Sequence, residues 1–104
     1  MTSKNLDNLI KRVNYSKDEL LENVNNNTLY NYILDYSDDI EFIFDVAHKF
    51  LGAIITVGSG APNIYLDTRN GMIKGFWGID NYNLPIDKEI KNELNNILYE
   101  FYQK

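Results

Sequence analysis

The chain has 104 residues, with 15 acidic and 10 basic side chains and a net charge of −5. This length suits one domain with a modest core, and the lack of cysteine excludes disulfides, thiolate metal sites and cysteine nucleophiles. A single histidine excludes a His-based triad or a multi-histidine metal site, and the acidic balance argues against binding a phosphate backbone, which needs clustered Lys and Arg.

From the N-terminus, Leu6, Leu9, Ile10 and Val13 form an amphipathic helical stripe over residues 4–13. Asn14-Tyr15 reads as a break, and Ser16 with Glu19 matches a capping box opening a second short helix over 17–24. Asn25-Asn26-Asn27 reads as a turn, and Thr28 starts a third helix to Tyr36. The period then changes to two. Ile40, Phe42, Phe44 and Val46 alternate with Glu41 and Asp45, which predicts a strand. Ala47-His48-Lys49 is a turn, and the apolar run Phe50 to Val57 is the next strand. Gly58-Ser-Gly60-Ala-Pro62 is a bulged or mobile connection, since it lacks the Gly-Lys-Ser/Thr of a phosphate loop.

The segment after Pro62 reads as a hairpin. Asn70-Gly71 favours a two-residue type I′ turn. That turn places Asp67 opposite Lys74, Tyr65 opposite Phe76, Leu66 opposite Gly75 and Ile64 opposite Trp77. Ile64, Leu66, Ile73 and Trp77 are then expected to face the helices, with Tyr65, Asp67, Lys74 and Phe76 on the other side. Asn81 to Pro85 extends the last strand or loops off it. Asp87 caps a C-terminal helix running to Tyr102, with Ile90, Leu94, Ile97, Leu98 and Phe101 as its buried stripe. The expectation is a single α+β domain over 1–104: short N-terminal helices, a four-stranded antiparallel meander, and a C-terminal helix packed on it.

Charge is unevenly distributed. Residues 14–47 carry eight acids against Lys17 alone, a net of −7. Within them Asp35, Asp38, Asp39, Glu41 and Asp45 are candidates for meeting a partner's Lys and Arg, although a solvated acidic face would use the same residues. Their spacing lacks the glycine and terminal Glu of an EF-hand loop, so no metal and no other cofactor is expected. Tyr65 and Phe76 are candidate aromatic anchors on the outer sheet face. His48 reads as an exposed turn residue, and Ser59 has no visible activating base. The opening residues lack a continuous apolar run and carry Asp7, and no apolar run reaches the roughly 18–20 residues that span a bilayer. A cytoplasmic, non-membrane protein is expected.

The stretch from Gly58 through Pro85, followed by an acidic amphipathic helix, resembles small proteins of phages, plasmids and integrative elements in Gram-positive bacteria. The matching residues are Pro62, Asn63, Ile64, Asp67, Thr68, Arg69, Gly75, Phe76, Trp77 and Gly78, within the C-terminal half. Enrichment in Asn, Lys, Ile and Tyr resembles the coding bias of AT-rich genomes. The resemblance implies an anti-defence factor of the anti-CRISPR or antirestriction type: a non-enzymatic inhibitor of a nucleic-acid-processing defence complex, bound to a basic protein surface and not to nucleic acid itself. An immunity protein neutralising a nuclease toxin, a self-associating structural or regulatory module, and a carboxylate or metal-dependent enzyme are the alternatives.

Overall fold

A computed structural model of the chain describes residues 4–60 and 62–103. The elements are α1 (Lys4–Asn25), α2 (Leu29–Tyr36), β1 (Asp39–Phe44), β2 (Phe50–Gly58), β3 (Asn63–Asp67), β4 (Met72–Trp77), β5 (Asp80–Pro85) and α3 (Lys88–Gln103). The fold is α+β. The strands form one antiparallel sheet in the order β1-β2-β3-β4-β5, a plain meander, and the helices cover one face of it.

Where two short helices were expected, α1 is one helix of 22 residues. Its buried positions Leu9, Val13 and Leu20, with Leu21 and Val24 beside them, continue a single 3.6-residue stripe through the supposed break. Asn14 donates its side-chain amide to the Ile10 carbonyl at 2.8 Å, so it stays inside the helix. Ser16 is therefore mid-helix and caps nothing. The helix ends at the asparagine run as expected. Asn27 adopts φ 58°, Thr28 N–H donates to the Asn23 carbonyl at 2.9 Å, and Asn27 N–H donates to the Val24 carbonyl at 3.3 Å. This is a Schellman ending, with Asn in the usual glycine position.

The core is a layer between the helices and the inner sheet face. Leu9, Val13 and Leu20 from α1, Leu29, Tyr32 and Ile33 from α2, and Ile90, Leu94 and Leu98 from α3 bury against Ala53, Ile55, Ile64, Leu66 and Ile73. Burial, with Glu19 adding to it, pushes the Tyr32 phenol well above its ordinary pKa. Gly75 sets how closely α1 approaches. A Cβ there would collide with Val13 Cγ2 and come within 2.9 Å of Leu9 Cδ1.

The sheet has five strands and not four, because Asn81 to Pro85 pairs along the whole of β4, from Trp77 opposite Asp80 to Met72 opposite Pro85. Gly78, at φ 62°, makes the two-residue turn between them, and Ile79 at its tip is 99% exposed. Strand β1 ends at Phe44, so Val46 is not on the buried face: it sits in the β1–β2 turn, wholly exposed.

The β3–β4 hairpin departs from the expected register by two residues. Asp67 lies opposite Met72, Leu66 opposite Ile73, Tyr65 opposite Lys74 and Ile64 opposite Gly75. Four residues, Thr68 to Gly71, make the turn, and only Gly71 has positive φ (71°). A type I′ turn is thereby excluded, since it needs positive φ at Asn70 as well. The Asp67 carboxylate drives the longer turn. It accepts from Arg69 N–H at 3.1 Å, from Asn70 N–H at 3.0 Å and from the Asn70 side-chain amide at 3.0 Å. Because the slip is an even number, every side chain keeps its expected face.

The same turn is fastened to the rest of the fold by Thr68, which is fully buried. Its N–H donates to the Ala53 carbonyl at 2.9 Å, and its hydroxyl accepts from Ala53 N–H at 2.9 Å. The hydroxyl donates to Asn95 Oδ1 at 2.6 Å, while Asn95 Nδ2 donates to the Thr68 carbonyl at 3.1 Å. Strands β2 and β3 and helix α3 thus meet at one residue. Thr68→Val leaves Asn95 Oδ1 and Ala53 N–H without partners and is expected to cost about 1–3 kcal/mol in urea unfolding. Gly75→Ala wedges α1 off the sheet and is expected to lower stability by about 1–3 kcal/mol with an unchanged denaturant slope.

Candidate functional site

The helices all bury their stripes on the inner face, so among the described residues no helix covers the outer face. Strand alternation determines what that face displays. Asp39 and Glu41 project from β1, Ile54 and Thr56 from β2, Tyr65 and Asp67 from β3, and Met72, Lys74 and Phe76 from β4. Two rows cross the sheet. One runs Asp39, Thr56, Tyr65, Lys74 and Asn83; the other runs Glu41, Ile54, Asp67, Met72 and Pro85. At the usual strand spacing, Asp39 lies about 10 Å from Tyr65.

Four of the seven candidate partner-binding residues therefore share one surface: Asp39, Glu41, Tyr65 and Phe76. Tyr65 and Phe76 are diagonal neighbours, not directly opposed, with ring centroids 5.9 Å apart and planes at 58°. Phe76 is 40% exposed. The other three candidates point elsewhere. Asp35 is exposed on α2. Asp38 precedes β1 on the opposite parity and accepts from the Ser59 hydroxyl at 3.2 Å. Asp45 serves its own turn, accepting from Ala47 N–H at 2.8 Å and Lys49 N–H at 2.9 Å. That turn holds His48, exposed at φ 63°.

Charge on the outer face is partly cancelled at its centre. Lys74 Nζ sits 3.0 Å from Asp67 Oδ2, a diagonal pair that survives the register change. Burial of Asp67 by itself would raise its pKa, but the Asn70 donors and Lys74 outweigh this, and the carboxyl lies below its ordinary value. Asp39 and Glu41, at the sheet edge, make no ion pair among the described residues. The uncompensated charge of the face is negative and lies along β1.

Asp38 and Asp39 also line a groove of about 370 Å³ where α2 passes into β1, together with Ile33, Leu34, Ser37, Ile40 and Phe101. The sequence pattern puts Ile33 and Phe101 on helices and Ile40 on a strand but does not join them into a site. The available signal is Leu34, which follows Ile33 on α2 yet falls outside that helix's buried stripe and is 62% exposed. Among the described residues no group of three or more His, Asp or Glu side chains is placed to hold a metal ion, and no helix is long and apolar enough to cross a membrane.

Compared with protein families, curated proteins and solved structures, the chain matches none.

Asp67 gives the face a pH signature. Its folded pKa is below the unfolded value of about 3.8, so its contribution is complete above that value and is lost as pH falls through the folded one. Asp67→Asn is expected to be less stable at neutral pH, and to lose less stability than the wild type between about pH 5 and pH 2 in acid-dependent thermal melts.

Proposed function

We propose that this protein is a non-enzymatic binding protein that inhibits a nucleic-acid-processing bacterial defence complex in the cytoplasm of its host. It does so by covering a basic surface that the complex uses to hold nucleic acid. One observation carries the reading: the uncovered sheet face presents unpaired Asp39 and Glu41 together with the Tyr65–Phe76 ring pair, Asp39 lying in the same cross-strand row as Tyr65. Acidic groups along one edge beside aromatic anchors make a surface fitted to a positively charged protein. The carboxylates steer the encounter and set its register, and the rings supply buried contact area.

The net charge of −5 is modest for wholesale imitation of a nucleic acid. The reading is correspondingly local: a plug of two carboxylates and two rings set against one basic patch. The sheet backbone holds the four side chains in place, so little ordering entropy opposes binding.

The test is phage plating on bacteria that carry an active CRISPR or restriction system and express the full chain. The wild type is expected to restore plating of a targeted phage. The pair Asp39→Lys and Glu41→Lys is expected to weaken that effect on the order of tenfold or more. Asp18→Lys with Glu22→Lys, an equal charge reversal at two exposed positions of α1 away from the face, is expected to leave it intact. Equal loss in both variants, with unchanged melting temperatures, would reduce the effect to net charge and refute the face.

A further inference from the structure

The chain leaves α2 at Ser37 in extended conformation (φ −81°, ψ 123°), and this turn opens the groove of about 370 Å³ beside the start of β1. The groove is apolar below and acidic at its mouth. Ile33 and Ile40 come from the two flanking elements and Phe101 from α3, while Leu34 stands 62% exposed as a wall. Asp38 and Asp39 line the mouth, and among the described residues neither has an ion-pair partner. Ser37 Oγ, also lining the groove, is shut off from solvent and has no hydrogen-bond partner among the described residues. A buried hydroxyl left unpaired is uncommon in a folded protein, and here it lies beside two carboxylates without ion-pair partners, of which Asp38 accepts only the Ser59 hydroxyl at 3.2 Å.

We propose that this groove receives an arginine side chain projecting from a partner protein. This deepens the binding reading above and rests on it for the source of the arginine. The methylenes lie along Ile33, Leu34 and Ile40, as long cationic side chains do on apolar surfaces. The planar guanidinium lies against the Phe101 ring and donates to Asp38, Asp39 adds its charge from the outer-face side, and a rotation of the Ser37 side chain brings its Oγ out to accept a further N–H. Charge complementarity selects the occupant. Residues 14–47 carry a net of −7, which repels acidic or phosphate-bearing groups. Lysine fits less well, because its compact ammonium is more strongly hydrated and has no planar face to lie along the ring.

The test titrates the isotope-labelled full chain by NMR with blocked glycyl-arginyl-glycinamide and with the same peptide carrying citrulline, which is neutral and nearly the same shape. Saturable shifts confined to the amides of residues 33–40 and 101, absent with citrulline, are expected. Asp38→Asn with Asp39→Asn is expected to weaken binding roughly tenfold, the loss of a charged hydrogen bond. Non-saturating shifts, shifts spread over the molecule, or an equal response to citrulline would overturn the pocket, and the citrulline arm needs no variant to fold. Sedimentation showing a dimer that Arg12→Ala dissolves would give the groove to a second copy and overturn the partner assignment. Saturable arginine binding in a protein that fails the phage-plating test supports the pocket while removing the defence-complex reading, so the two fail separately.

Discussion

The fold depends on the buried side chain and backbone of Thr68. Its N–H, carbonyl and hydroxyl are all hydrogen-bonded, to Ala53 on β2 and to Asn95 on α3. A fully satisfied polar knot in a low-dielectric interior specifies position strongly, because any displacement leaves several groups unpaired at once. Neighbouring residues are shaped to permit it. Gly52 adopts φ 146°, and a Cβ there would lie 2.7 Å from the Arg69 backbone nitrogen; only a residue without a side chain lets the turn press onto β2. Asp67 closes the turn from the other side with three hydrogen bonds. The hairpin tip, the second strand and the last helix are thus positioned together, and the register of β3 against β4 follows from that tip.

The outer face inherits its geometry from this register. Tyr65 stands between Thr56 and Lys74, and the row reaches the sheet edge at Asp39. The edge is where charge is most useful to the protein on its own account. An unpaired strand such as β1 invites pairing with another chain, and acidic side chains along it discourage this. The opposite edge, β5, carries Pro85 and alternating asparagines, a second way of blunting an edge. Protection of the edge and the proposed attraction of a basic partner draw on the same two carboxylates. What distinguishes them is the ring pair beside the acids and the groove at the strand's start, neither of which edge protection requires.

Much of the architecture was legible in residue pattern. The C-terminal helix, the period change at Ile40, the Asn25–Asn27 helix ending and the face assignments of β3 and β4 all follow from short-range periodicity and turn chemistry. The departures have separate physical causes. Asn14-Tyr15 resembles a helix break when seen locally, yet the stripe through Leu9, Val13 and Leu20 packs on β4 and β5, and packing outweighs the weak propensity of one asparagine. Asn70-Gly71 carries the strongest hairpin signal in the chain, yet the Asp67 side chain offered the backbone better partners two residues earlier. The fifth strand was readable only as an extension, because an Asn-rich segment has low strand propensity and is stabilised by the length of β4 beside it. The candidate site was half legible. Alternation places Asp39 and Glu41 on one face, but whether Tyr65 and Phe76 share it depends on how three further strands align.

The amino-acid sequence by itself determined the class of fold, the absence of thiol chemistry, the acidity of residues 14–47 and the inward or outward sense of most strand residues. These rest on interactions within a few residues of the chain, and a side-chain period of two survives an even slip in register. Tertiary structure alone decided which acids stand together and that Ile33, Ser37, Asp38 and Phe101 border one groove. Those outcomes depend on contacts between segments far apart in the chain, where hydrogen-bond satisfaction and close packing choose among arrangements that local pattern leaves equal.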